Sequence, residues 1–196
     1  MRRLWAIALA AMVALAACTS LPRGDENVFD AAITEDVSFH AQGRFSARYE
    51  EKAAVARFDW RHTPDTDEIE LISPLGATVA TLTREGETIT VQQGNRPQRT
   101  QQVADWEDLT TQTLGFSLPV KSLAYWIRGV PAPEAPAAAT RDAVGRFDSL
   151  RQQGWAVQFS YTGATCEPER IDIRYGETIG LRLRVDKLLL LGNKQI

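Results

Sequence analysis

The chain has 196 residues, 44% of them hydrophobic, with 22 basic against 25 acidic side chains and a formal net charge of −3. That is enough chain for one sizeable core. No basic stretch is interleaved with aromatics, which argues against nucleic acid and against strong attraction to anionic headgroups.

Arg2 and Arg3 precede an apolar run from Leu4 to Ala14, then Leu15-Ala16-Ala17-Cys18. A charged start, an apolar centre and a small-residue site make residues 1–17 a secretory signal peptide. The run falls short of the ~20 residues that span a bilayer. A small-residue site ending in Cys resembles the lipobox of bacterial lipoproteins, the alternative being an ordinary signal peptide with an incidental Cys. The resemblance implies that Cys18 is acylated on sulfur and, as the first mature residue, on its amine. Thr19 stands where Asp would favour the inner membrane, so the outer membrane is the expected destination. Residues 18–27 form the acylated start and a polar tether with one Pro and one Gly, and 28–196 a single domain. No cofactor beyond the acyl chains is expected. Cys166, in a loop-like Thr162–Pro168 stretch, is left without a partner, so no internal disulfide is expected.

Phe29, Ile33 and Val37 are four apart, which predicts a helix over 28–40. Period-two patterning follows. Phe45, Ala47 and Tyr49 alternate with polar residues, as do Ala54, Ala56, Phe58 and Trp60, with Glu50-Glu51-Lys52 between them as a hairpin. Residues 68–73, 78–84 and 87–93 continue the series, broken at Pro74-Leu75-Gly76, at Glu85-Gly86 and at Gly94–Pro97. The period then changes. Asp105 can cap a helix carrying Trp106 and Leu109, with Gly115 as the stop. A second helix follows Pro119 with Leu123, Trp126 and Ile127, ended by Gly129 and Pro131. Val130 to Thr140, rich in Pro and Ala, is expected to be a loop. Strands resume at Trp155–Tyr161, 171–175 and 181–186. Leu188 to Leu191 break the alternation and suit a strand buried on both faces or apolar sequence with another use.

Many one-sided antiparallel strands with two or three helices predict a curled sheet lidded by helices around an apolar cavity. A filled two-sheet sandwich satisfies the same periodicity. Catalytic constellations are missing. His40 and His62 are 22 residues apart with no metal-ligand spacing and are expected at the surface. Asp65, Asp67, Glu68 and Glu70 read as a solvated edge, and Asp105, Glu107 and Asp108 as helix-start carboxylates. No phosphate loop or G-x-S-x-G elbow is present, so the chain is not expected to be an enzyme. Trp60, Trp106, Trp126 and Trp155 fall on apolar faces and suit either a core or the walls of a lipid pocket.

Glu70-Leu71-Ile72-Ser73-Pro74-Leu75-Gly76 and Ser122-Leu123-Ala124-Tyr125-Trp126-Ile127-Arg128-Gly129-Val130-Pro131 resemble the LolB family of outer-membrane lipoprotein receptors. The lipobox, Phe58-Asp59-Trp60, Gly154-Trp155 and the closing Leu181–Val185 run stand in the order that family shows. The resemblance implies a mainly β fold with an α lid, an unclosed antiparallel β-barrel of about 10–11 strands over an apolar cavity. It implies a monomeric receptor facing the periplasm. That receptor takes acylated lipoprotein cargo from the soluble carrier LolA and places it in the inner leaflet of the outer membrane. It also implies an exposed Leu75 on a membrane-insertion loop with Pro74 and Gly76. By face, the acyl-chain cavity is expected to use Phe45, Phe58, Trp60, Leu71, Trp126, Ile127, Trp155, Val157, Ile173 and Leu183. Free lipid as cargo, or a purely structural envelope lipoprotein, are the other readings.

Overall fold

A computed structural model describes residues 36–94, 100–103 and 105–191. The signal peptide, Cys18, the tether, the predicted first helix up to residue 35 and the 95–97 part of one turn lie outside the described residues. Val37 and Ser38 carry no regular structure and Phe39 opens a strand, so no helix extends to residue 40.

The described residues form eleven strands and two helices. They are β1 (Phe39–Tyr49), β2 (Lys52–His62), β3 (Thr66–Ile72), β4 (Thr78–Glu85), β5 (Thr88–Gln93), β6 (Thr100–Val103), α1 (Trp106–Leu114), α2 (Val120–Trp126), β7 (Ala137–Arg141), β8 (Phe147–Gln152), β9 (Trp155–Ser160), β10 (Arg170–Tyr175) and β11 (Ile179–Leu190). They form one sheet in the order β6-β5-β4-β3-β2-β1-β11-β10-β9-β8-β7. Every pairing is antiparallel. The sheet therefore has two ends, β6 and β7, and is an unclosed barrel, two meanders joined where β1 meets β11.

Local chemistry sets these boundaries. Two-residue hairpins at Glu50-Glu51 and Gln153-Gly154 need positive φ, and Glu50 (52°), Gln153 (52°) and Gly154 (81°) supply it. Asp105 caps α1 by accepting from Asp108 N at 2.7 Å, and Gly115 ends it in the left-handed region with φ 86°. The β1–β11 register shifts between Gln42 and Gly43. A Cβ on Gly43 would stand 2.1 Å from the Arg184 carbonyl oxygen and 2.9 Å from Phe58 Cζ. Only a residue without a side chain lets the two strands approach there.

Two expectations need correction. The loop expected over 130–140 gives way to strand at Ala137, because β7 needs only backbone pairing with Phe147–Gln152 and starts just past the last proline of that stretch. The leucine run is strand as far as Leu190, pairing with Phe39, His40 and Ala41. It is not buried on both faces, for Leu189, Leu190 and Leu191 are each nearly half exposed.

Candidate functional site

The concave face of the sheet, covered by the two helices, encloses a cavity of about 120 Å³. Phe45 of β1, Phe58 and Trp60 of β2, Leu71 of β3 and Leu183 of β11 reach it from the sheet, and Ile127 closes it from the end of α2. These six are predicted cavity residues that the structure brings together. Period-two reading placed the five strand residues, because each strand keeps one face inward and residues two apart share a wall, and helical spacing from Leu123 placed Ile127.

The same wall contains residues the sequence reading did not select. Ile69, Leu82 and Leu181 extend it on the sheet, and Trp106, Leu109, Leu118, Val120 and Leu123 form its roof. Their signals were present. Ile69 and Leu181 are each two residues from a selected position, and Trp106 and Leu109 share a face of α1. One polar residue, Thr110, lines the cavity, and its hydroxyl is engaged, donating to Trp106 O at 2.9 Å and accepting from Leu118 N at 2.8 Å. Among the described residues the wall offers apolar surface and no free hydrogen-bonding group.

Trp126, Trp155, Val157 and Ile173 do not line this cavity, which corrects their expected place. They are buried in the core cluster of the other half of the sheet, on β9, β10 and α2. Trp126 is fully buried, its ring 6.5 Å from that of Trp155. Its indole N–H donates to Gln152 Oε1 at 3.0 Å. Gln152 is 2% exposed and also accepts from Ala132 N at 3.0 Å, while its amide donates to Ala132 O and Ala135 O at 2.6 Å each. This buried amide ties the end of α2 and the following loop to β8. The half of the barrel that looked like cavity is a filled core organised around one polar side chain, since inward-facing patterning cannot distinguish wall from filling.

His62 and Asp67 overturn the expectation of surface residues. They are 5% and 3% exposed, and they face each other across the β2–β3 ladder on the inner side, in step with Trp60 and Ile69. His62 Nδ1 lies 2.6 Å from Asp67 Oδ1 and Nε2 lies 2.7 Å from Asp36 Oδ1. Asp67 also accepts from Trp60 Nε1 at 2.8 Å and from Arg84 Nε at 2.5 Å. Burial opposes charge on His62, but hydrogen bonds and attraction from the two carboxylates outweigh it and raise its pKa above the ordinary 6.5. Burial likewise pushes against ionised Asp67, and its bonds to His62, Arg84 and Trp60 hold it below 3.8. Trp60 thus has one edge in the cavity and its N–H in a buried ionic network. His40 is half-buried and bonds Asp59 at 2.8 Å.

The turn after β3 is held by Gly76 N donating to Ser73 O at 2.9 Å and by Ala77 N donating to Ser73 Oγ at 3.1 Å, with Gly76 at φ 88°. At its tip Leu75 is 98% exposed. Pro74 and Gly76 therefore hold an apolar side chain in solvent and not against the end of the barrel. Cys166 is exposed and makes no disulfide.

An open antiparallel barrel, roofed by helices over a cavity lined by apolar side chains and one threonine, with a bare leucine on a stiffened loop, defines a lidded half-barrel protein. Residues 37–187 match the family described as "Outer membrane lipoprotein LolB". The outer-membrane lipoprotein LolB of Chromobacterium violaceum is 39% identical, over 81% of this chain and 82% of that one. That of Cupriavidus metallidurans is 37% identical over 94% of each. The chain belongs to the LolB family and is an outer-membrane lipoprotein of lipoprotein localisation. Among solved structures, a LolA superfamily protein of Nitrosomonas europaea aligns with TM-score 0.49 at 10% identity, covering 83% of this chain and 93% of that one.

Proposed function

We propose that this chain receives acylated lipoproteins from a soluble periplasmic carrier of the LolA type and passes them into the inner leaflet of the outer membrane. The observation that carries this reading is the cavity, whose wall presents hydrocarbon and no unengaged polar group. Three acyl chains of roughly 15 methylenes, at ~0.8 kcal/mol each, oppose free passage through water by roughly 36 kcal/mol as an upper bound. A protein that shelters them supplies a path by differential affinity, without nucleotide, each site binding the chains more tightly than the last.

At about 120 Å³ the cavity is smaller than the roughly 300–1,000 Å³ of sites that enclose drug-sized ligands. Cargo therefore enters as the roof lifts. Gln152 pins α2 to β8, while α1 is bounded by Asp105 and by Gly115 in the left-handed region, so α1 is the part that moves. Cys18, acylated, holds the protein at the membrane, and Leu75 carries the chains out of the cavity into the bilayer.

The test mixes the Cys18→Ala chain with carrier loaded with labelled lipoprotein and follows co-precipitation. Cargo moves to this chain without nucleotide if the reading holds, and cargo that stays on a competent carrier refutes it. Leu75→Glu should keep cargo reception and lose release into liposomes.

A further inference from the structure

The face of the sheet opposite the cavity carries a row of like charges. Arg57 stands opposite Arg44 in the β1–β2 ladder, Arg44 opposite Arg184 in β1–β11, and Arg184 opposite Arg170 in β10–β11. All four are exposed and alternate with inward residues such as Phe58, Phe45, Leu183 and Ile171. Like charges directly opposite one another destabilise a sheet unless neighbouring carboxylates offset them.

Local carboxylates offset it in part. Asp186 pairs with Arg44 at 3.0 Å and with Arg184 at 3.8 Å, Glu169 with Arg184 at 3.0 Å, and Asp172 with Arg170 at 3.1 Å. Arg57 has no ion pair among the described residues. At its β2 end the row meets the exposed loop. Arg44, Arg57 and Val55 line one shallow depression with Pro74, Leu75 and Gly76, where Leu75 is 98% and Val55 60% exposed. A guanidinium row beside a bare apolar tip is the pattern of a bilayer interface, with cations at phosphate depth and the apolar group deeper.

We propose that the Arg57-Arg44-Arg184-Arg170 row is a docking platform for phospholipid phosphates, which seats the barrel on the membrane with Leu75 entering the acyl layer beside it. The platform deepens the receptor reading, on which it rests for the bilayer as destination. Guanidinium takes phosphate oxygens in pairs, which ammonium does not, and every basic residue of the row is Arg. Composition conceals the feature because the four arginines come from separated strands and only the sheet register aligns them. The weak headgroup attraction expected from the linear sequence is thereby replaced by a local one.

The test uses the mature chain, residues 18–196, carrying Cys18→Ala, so that neither signal peptide nor acyl chains contribute, and vesicles of about three parts phosphatidylethanolamine to one of phosphatidylglycerol. Arg44→Gln/Arg57→Gln should lower vesicle partitioning about tenfold, with the parent's binding weakening as salt rises. Arg44→Lys/Arg57→Lys should retain an intermediate share. Thermal melting checks the fold, and Arg170→Gln/Arg184→Gln replaces the first pair if that pair unfolds. Equal partitioning of parent and Gln variant overturns the platform. So does unchanged vesicle binding with lost binding of the carrier, which reassigns the row to an acidic protein surface. Cargo transfer to the parent without vesicles is scored separately, and its failure refutes the receptor reading while vesicle partitioning still decides the platform.

Discussion

Gly43→Ala places one methyl group where two strands and the cavity wall meet. Its Cβ would lie 2.1 Å from the Arg184 carbonyl oxygen and 2.9 Å from Phe58 Cζ. The ring could yield by a rotamer change, but the oxygen belongs to the backbone of β11 and moves only with the strand. Overpacking costs about 1–3 kcal/mol, and backbone displacement puts this substitution near about 3 kcal/mol. For a domain of this size that is a fall in Tm of about 6–12 °C. Gly180→Ala is the control in the same pair of strands, because nothing lies within 4 Å of its added Cβ and its φ is not in the left-handed region. It should change stability by no more than about 0.5 kcal/mol. Circular dichroism melts of both variants in the Cys18→Ala chain provide the measurement. A Gly43→Ala Tm within about 2 °C of the parent would refute the assignment of the bulge to close strand approach.

Two other variants address the buried polar groups. Gln152→Leu removes the partners of the Trp126 indole N–H and the Ala132 amide in a fully buried site. It should lower stability by about 3 kcal/mol or more in urea titrations and speed hydrogen exchange in α2. His62 has a raised folded pKa, so its stabilising contribution is complete below the ordinary 6.5 and is lost as pH rises through the folded value. Between pH 6 and pH 9 the urea midpoint of the parent should fall while that of His62→Gln stays flatter; parallel curves would remove the His62 carboxylate contacts from the stability.

Much of the architecture was legible in residue order because strands with one inward face declare themselves every second residue. β2, β9 and β10 follow from Phe58-x-Trp60, Trp155-x-Val157-x-Phe159 and Ile171-x-Ile173, and α1 from Asp105 and Gly115. β6 and β7 were not legible. Thr100–Val103 and Ala137–Arg141 hold few large apolar residues, and their strand character comes from neighbours that already present an edge. The cavity was half legible, since inward-facing says nothing of whether the space opposite is empty. Phe58 faces a void and Val157 a packed layer, and the difference lies in Gln152 drawing α2 onto β8. His62 and Asp67 are polar residues at inward parity, so polarity alone points to the surface where the strand period points inward. Their positions two and four residues from Trp60, Ile69 and Leu71 mark the inner face, and their mutual pairing makes burial tolerable.

The seam between β1 and β11 bears on how the barrel forms. Phe39 to Tyr49 pairs with Leu190 to Ile179, bringing together segments separated by nearly the whole domain at the centre of the sheet and not at a rim. Each meander can close its own hairpins early, but the curvature that creates the cavity waits for one long-range encounter. Chains dominated by such encounters fold slowly. Until β11 arrives, β1 and β10 are open strand edges next to apolar faces, the condition under which strands pair with the wrong neighbour. Loss of the last strand would therefore not trim the barrel but divide it, leaving two short sheets and no shared interior.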